Sequence, residues 1–177
     1  MQLPEPLRTK ESPREILAAD FKSLRGGLPI QGGWGYSKED ACVIQKDDPL
    51  VDSNLPFDGI GIEYVFVEKR IYEEMIIFQP EGGKYSEIRW SLQKQALVND
   101  GDRRYDHLVF EVTSFRDADW DALKAEFGGP HGFGTPGFDE AAHENKRREK
   151  MIRLTRDFWF DVTSFTNRPP VSLQSEI

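Results

Sequence analysis

The chain has one cysteine, three histidines and no apolar run approaching the roughly 18 residues that cross a bilayer. Each scarcity closes a class of function. Cys42 alone cannot form an internal disulfide, so it suits a reducing compartment and reads as a small buried apolar group. His107, His131 and His143 are too scattered for metal-ligand spacing, no His-x-x-x-His or Cys-x-x-Cys pair occurs, and no metal or other cofactor is expected. Met1-Gln2-Leu3-Pro4-Glu5-Pro6 lacks the basic and then apolar segments of a secretory leader. The expectation is a cytoplasmic protein without membrane attachment.

Positive charge is also short, with 23 Lys and Arg against 31 Asp and Glu and a net charge of −8. Such a balance disfavours phosphate backbones and matches a basic protein partner better. Lys146, Arg147, Arg148, Lys150, Arg153 and Arg156 do cluster. With Asp139, Glu140 and Glu144 ahead of them and no aromatic residue from Lys146 to Lys150, they read as a dipole-matched helix end rather than a nucleic-acid patch.

What is present is enough for one domain: 177 residues can bury roughly 70% of the surface the unfolded chain exposes. The reading is a single domain, 1–177, with an extended lead at 1–11 and a loose tail at 167–177. Ser12-Pro13-Arg14-Glu15 places Ser at N-cap, Pro at N1 and Glu at N3, and Gly26-Gly27 offers a stop, which predicts a helix over 13–25. Ala41-Cys42-Val43-Ile44 reads as a short strand. From Asp58, Ile60, Ile62, Tyr64 and Phe66 alternate with Gly61, Glu63, Val65 and Val67, which predicts another strand. Arg70 to Phe78 suits a helix through Ile71, Met75 and Phe78 and a strand through Ile76-Ile77-Phe78; the Pro80-Glu81-Gly82-Gly83 turn favours the strand.

Strands over 87–98 and 108–112 flank Asn99-Asp100-Gly101-Asp102, whose Asp-Gly suits a type I′ hairpin. Helices follow at 117–127 and 138–150, and a last strand at 152–165. Phe160-Asp161-Val162-Thr163-Ser164-Phe165 nearly repeats Phe110-Glu111-Val112-Thr113-Ser114-Phe115, which suggests two strands with equal surroundings, neighbours in the sheet. The fold class is α+β: a single antiparallel sheet of five or six strands with helices packed mainly on one face.

One segment spends residues that core packing does not ask for. Gly32, Gly33 and Gly35 free the backbone around Trp34 and Tyr36, and Lys38, Glu39 and Asp40 follow. Phosphate-binding patterns fail here, because Gly33-Trp34 stands where a P-loop needs Lys and Ser or Thr, and the third glycine of a dinucleotide fingerprint is missing. Aromatic anchors ringed by charge are the residue types that dominate protein interfaces. The leading functional reading is a non-catalytic binding module, such as an immunity-type protein neutralising a basic toxin or partner, that docks through Gly32, Gly33, Trp34, Gly35, Tyr36, Lys38, Glu39 and Asp40. It leaves self-association open. The alternative is a small enzyme with a cleft lined by the Trp34–Asp40 loop, Glu63 and His107, with Asp106 as the orienter of the histidine. His131 and His143 read as surface groups, as do the carboxylates of Asp47-Asp48, Glu73-Glu74 and Asp117, Asp119 and Asp121.

Overall fold

The computed structural model describes residues 3–166, so the tail expected at 167–177 lies outside the described residues. The capping box forms as the sequence implies: Ser12 Oγ accepts the Glu15 N–H and the Glu15 carboxylate accepts the Ser12 N–H. Helix α1 spans Pro13–Asp20 and buries Ile16 and Leu17. It ends earlier than expected. Phe21 turns extended, a 3₁₀ turn covers Lys22–Leu24, and the left-handed backbone begins at Arg25, one residue before the glycines.

Strands β1 (Ile30–Gly32) and β2 (Cys42–Ile44) pair antiparallel, and the long strands β3 (Tyr85–Asp100), β4 (Arg103–Arg116) and β5 (Ile152–Asp161) complete a five-stranded sheet of order β1-β2-β5-β4-β3. The sheet is mixed, not antiparallel throughout, because β2 runs parallel to β5 with Cys42 opposite Phe160. The expectation failed because sequence-local turns say nothing about pairing between strands so far apart in the chain. Near the turn, β4 and β5 are antiparallel neighbours. Arg103 meets Asp161 at 2.5 Å and His107 meets Asp157 at 2.7 Å, stepping four residues up one strand and four down the other.

Two segments whose patterns predict strands are helical. Residues 58–67 are not a strand; helix α2 spans Gly59–Tyr72. Residues 70–78 continue it and then widen into a π turn over Glu73–Ile77, in which the Phe78 N–H reaches back five residues to the Glu73 carbonyl. Alternation of Ile60, Ile62, Tyr64 and Phe66 was misleading: Phe66 is buried while Ile60 and Tyr64 are exposed.

The β3–β4 hairpin turns at Gly101-Asp102, one residue later than Asp100-Gly101. Gly101 has φ +59° and Asp102 does not have positive φ, so the turn has the signs of type II′ rather than I′. Helices α3 (Asp117–Gly128) and α4 (Glu140–Lys150, capped by Asp139) lie where the sequence predicts them. The six-residue echo falls in unequal settings. Phe110 to Phe115 is strand, whereas Thr163 to Phe165 is already a turn beyond β5, although β4 and β5 are neighbours.

The chain forms two compact units. Among the described residues, one comprises those through Leu7, Ile71–Leu92 and Phe110–Arg156; the other comprises Arg8–Arg70, Gln93–Val109 and 157–166. The first is centred on Met75, Phe110, Val112, Phe115, Leu123 and Ile152. Its basic segment is paired throughout: Lys146 with Glu126, Arg147 and Arg148 with Glu144, Lys150 with Asp119, and Arg153 with Glu111. Arg156 meets Glu74 at 2.6 Å and also donates to the Pro4 carbonyl. Glu73 and Glu74 are buried, so they are not the solvated pair their spacing suggests.

The second unit is centred on Leu17, Ile30, Trp34, Cys42, Phe66, Leu108, Phe158 and Phe160. Asp48 is buried here too, its carboxyl held below the usual carboxylate range by the Arg14 guanidinium. The glycine segment is stitched into this unit: Gly33 donates to Ala41, Gly35 to Asp40, and Trp159 donates to the Gly35 carbonyl at 2.8 Å. Gly35 has φ +76°, and a Cβ there would stand 2.8 Å from the Trp159 carbonyl oxygen. Gly35→Ala is therefore expected to cost about 2–3 kcal/mol in urea unfolding, since it adds a backbone clash to the left-handed strain. Gly101→Ala, with open space around its Cβ, is expected to cost only about 1 kcal/mol; equal losses at the two sites would contradict this reading.

Candidate functional site

The site begins at the entrance to α2. Asp58 caps the helix by accepting the Gly61 N–H at 2.8 Å. Gly59 lets the Phe165 ring lie against the first turn, where a Cβ would stand 2.4 Å from the ring. Phe57 adds an edge contact to Phe165 at 5.1 Å between centroids. From this start the helix turns Glu63, Phe66, Val67 and Arg70 inward, each at most 1% exposed. The spacing i, i+3, i+4, i+7 marks one helix face. Two of its four members are ionisable.

Arg70 and Glu63 are accommodated differently. The Arg70 guanidinium donates to the carbonyls of Trp34 at 2.8 Å and Asp157 at 2.7 Å, and lies 4.1 Å from the Tyr36 ring centroid and 3.6 Å from that of Phe158. Carbonyl oxygens and ring faces replace its water. Glu63 instead lines a cavity of about 430 Å³ with Asp106 of β4 and apolar walls of Ile60, Leu97, Val162 and Phe165. Glu63 Oε2 and Asp106 Oδ1 are buried with no hydrogen-bond partner. Asp106 Oδ2 accepts from Gln95 at 2.7 Å.

Burial pushes the Glu63 carboxyl up to about 8, and the neighbouring charge of Asp106 adds to the rise. Burial also raises Asp106, against the lowering effects of the Gln95 hydrogen bond and the nearby His107. The cavity thus carries two acids of different strength, one of which keeps its proton at neutral pH.

The structure brings Glu63 and Asp106 together and sends His107 elsewhere. Adjacent residues of a strand point to opposite faces, and His107 stacks on Trp159 at 4.0 Å with its Nε2 2.7 Å from Asp157. The partner that orients this histidine is Asp157, not Asp106. The Trp34–Asp40 loop is absent from the cavity lining. Trp34 is 5% exposed and packs on Phe66, Gly35 is buried, and Lys38 pairs with Asp100 at 2.6 Å; Gly32 and Glu39 are exposed, while Gly33, Tyr36 and Asp40 are half-buried. Gln95, Leu97, Val162 and Phe165 were missed because their signal is tertiary. Gln95 and Leu97 lie in a strand the sequence predicts, whereas Val162 and Phe165 lie beyond the end of β5 at Asp161; the convergence of all four on Glu63 has no local signal.

In the other unit, a cavity of about 450 Å³ lies along α3 and α4, lined by Trp120, Leu123, Phe127 and His143 among others. His143 is buried between Phe127 and Phe138, each 5.5 Å from its ring, rather than on a polar surface. His131 is exposed. Among the described residues, no group of three or more His, Cys, Asp or Glu side chains could hold a metal ion, and no helix is long and apolar enough to cross a membrane. No protein-family model, curated protein or solved structure matches the chain.

Because the folded protein holds the Glu63 proton up to about pH 8 and the unfolded chain only to about 4.5, this group's stabilising contribution is complete below 4.5 and fades as pH rises through about 8. Each pH unit in that window removes up to about 1.4 kcal/mol. Glu63→Gln lacks this loss. Urea unfolding is expected to show it more stable than wild type by about 2–4 kcal/mol at pH 9 and within about 1 kcal/mol at pH 5; an offset that does not change with pH would contradict the assignment.

Proposed function

We propose that the protein acts through the Glu63–Asp106 cavity as a small enzyme on a ligand of modest size. The observation that carries this reading is the pair of carboxyl groups, delivered by a helix and a strand into an otherwise apolar cavity, each with a buried oxygen left without a partner. The volume falls in the range of small-molecule sites, and convergent polar groups on apolar walls are the usual composition of such sites. Perturbed acids in a cavity are candidates for proton transfer. In this role Glu63 is the group that holds and gives up a proton, and Asp106, its Oδ2 fixed by Gln95, is the carboxylate that faces a positive charge. The buried, unbridged thiol of Cys42 supports a cytoplasmic setting.

The second reading, a non-catalytic module for a basic protein partner of the immunity type, is favoured by the net charge of −8 and by Phe127 and Phe133, which are 45% and 57% exposed and stack on one another at 4.9 Å in the other unit. A fragment screen followed by amide NMR shifts separates the two. The enzyme reading expects hits that shift residues 60–63, 106 and 162–166 and weaken at least tenfold in Leu97→Trp, which fills the cavity. Hits confined to the α3–α4 groove and indifferent to Leu97→Trp would contradict it and favour the second reading.

A further inference from the structure

The geometry points to an organic cation, a primary amine on a compact apolar body, as the class of ligand that the Glu63–Asp106 cavity takes. This rests on the cavity being the site. Its walls and floor ask for different chemistry. Ile60 and Leu97 are more than a third exposed at the lip, and Val162 and Phe165 continue the apolar wall inward, so the body of a ligand meets only hydrocarbon and ring. The polar floor consists of acids with unfilled acceptor positions, Glu63 Oε2 and Asp106 Oδ1.

The surroundings supply no cation to them. Thr166, the remaining lining residue, donates its hydroxyl to the Val162 carbonyl, and the Arg104 guanidinium is engaged by the Thr166 carbonyl. Arg70 is two turns along the same helix and spends its donors on Trp34 and Asp157. Cys42 on β2 feels Glu63 as a like charge and is itself held protonated by burial. Among the described residues, the other titratable influence on the pair is His107, behind Asp106 on the opposite side of β4 and bound to Asp157.

An ammonium group answers these conditions. Its three N–H donors can reach both carboxyl groups at once, and its charge offsets the repulsion between them. An anionic ligand would meet two acids and no donor beyond the Glu63 proton. A hydrated divalent cation needs six or more oxygen ligands, whereas four of the seven lining side chains are apolar. Entry of the ammonium favours ionised Glu63, so the proton it held leaves to solvent as the ion pair forms. Binding and proton release are therefore one event.

Benzylamine, benzyl alcohol and benzoate serve as cationic, neutral and anionic probes of nearly equal shape. Calorimetry of each against the full chain at pH 7, in buffers of different ionisation enthalpy, reads affinity and proton count together. The expected result is benzylamine bound at least tenfold more tightly than benzyl alcohol, with between one half and one proton released, and tighter binding as pH rises toward 8. Glu63→Gln is expected to abolish the proton release and weaken benzylamine at least tenfold; Asp106→Asn, as a second variant, is expected to narrow the preference over benzyl alcohol. Leu97→Trp locates each binding event. Benzyl alcohol or benzoate bound as tightly as benzylamine and sensitive to Leu97→Trp, with no proton released by the amine, would overturn the cation assignment and leave the cavity reading standing. If none of the three binds in a manner sensitive to Leu97→Trp, while other fragments do, the cation assignment falls alone; if no fragment does, both fall.

Discussion

Helix α2 buries an arginine and a glutamate two turns apart on the face it turns inward, and the second unit is arranged around what those two groups need. An ion stripped of water costs several kcal/mol unless its hydration is replaced or its charge is removed. Arg70 takes the first course: its guanidinium cannot give up its proton, so two backbone carbonyls and two ring faces stand in for solvent. Glu63 takes the second. With no cation supplied and Asp106 nearby, the carboxyl keeps its proton, and the cavity beside it stays polar at one end without holding an ion pair.

The demand of Arg70 explains the glycine segment. The Trp34 carbonyl must point at the guanidinium while the Trp34 ring packs against Phe66, and the Tyr36 ring must bring its face to the cation, 4.1 Å from centroid to guanidinium. Gly35 stands between them in the left-handed region, with its carbonyl taking the Trp159 N–H. Large aromatics on a free backbone are therefore a solution to burying a cation. Their resemblance to a docking loop comes from sharing residue types with one, because tryptophan and tyrosine serve both purposes for the same reason: a broad apolar face with polar groups at its edge.

How much of this could be read along the chain depended on whether the determining interaction was local. The Ser12–Glu15 capping box, the Asp-Gly hairpin and the helices ending at Gly128 and Lys150 are set by residues a few positions apart, and they lie within a residue or two of where the sequence places them. The parallel pairing of Cys42 with Phe160 has no local signal. Helix α2 was hidden for a different reason. Apolar periodicity cannot see a buried face whose members are Glu63, Phe66, Val67 and Arg70, since half of it is ionisable, while Ile60, Ile62, Tyr64 and Phe66 imitate a strand. The sequence pairs Glu63 with His107 and gives Asp106 only the task of orienting the histidine; Glu63 and Asp106 do converge, but adjacency in a strand puts His107 on the opposite face.

The central claim is that Glu63 is a neutral acid beside Asp106 at physiological pH. Carbon-13 NMR of side-chain carboxyls, with Glu63 assigned by its loss in Glu63→Gln, follows its ionisation directly in the folded protein. A midpoint near 8 that moves down in Asp106→Asn is the predicted result; a midpoint in the ordinary glutamate range, unmoved by Asp106→Asn, would contradict it.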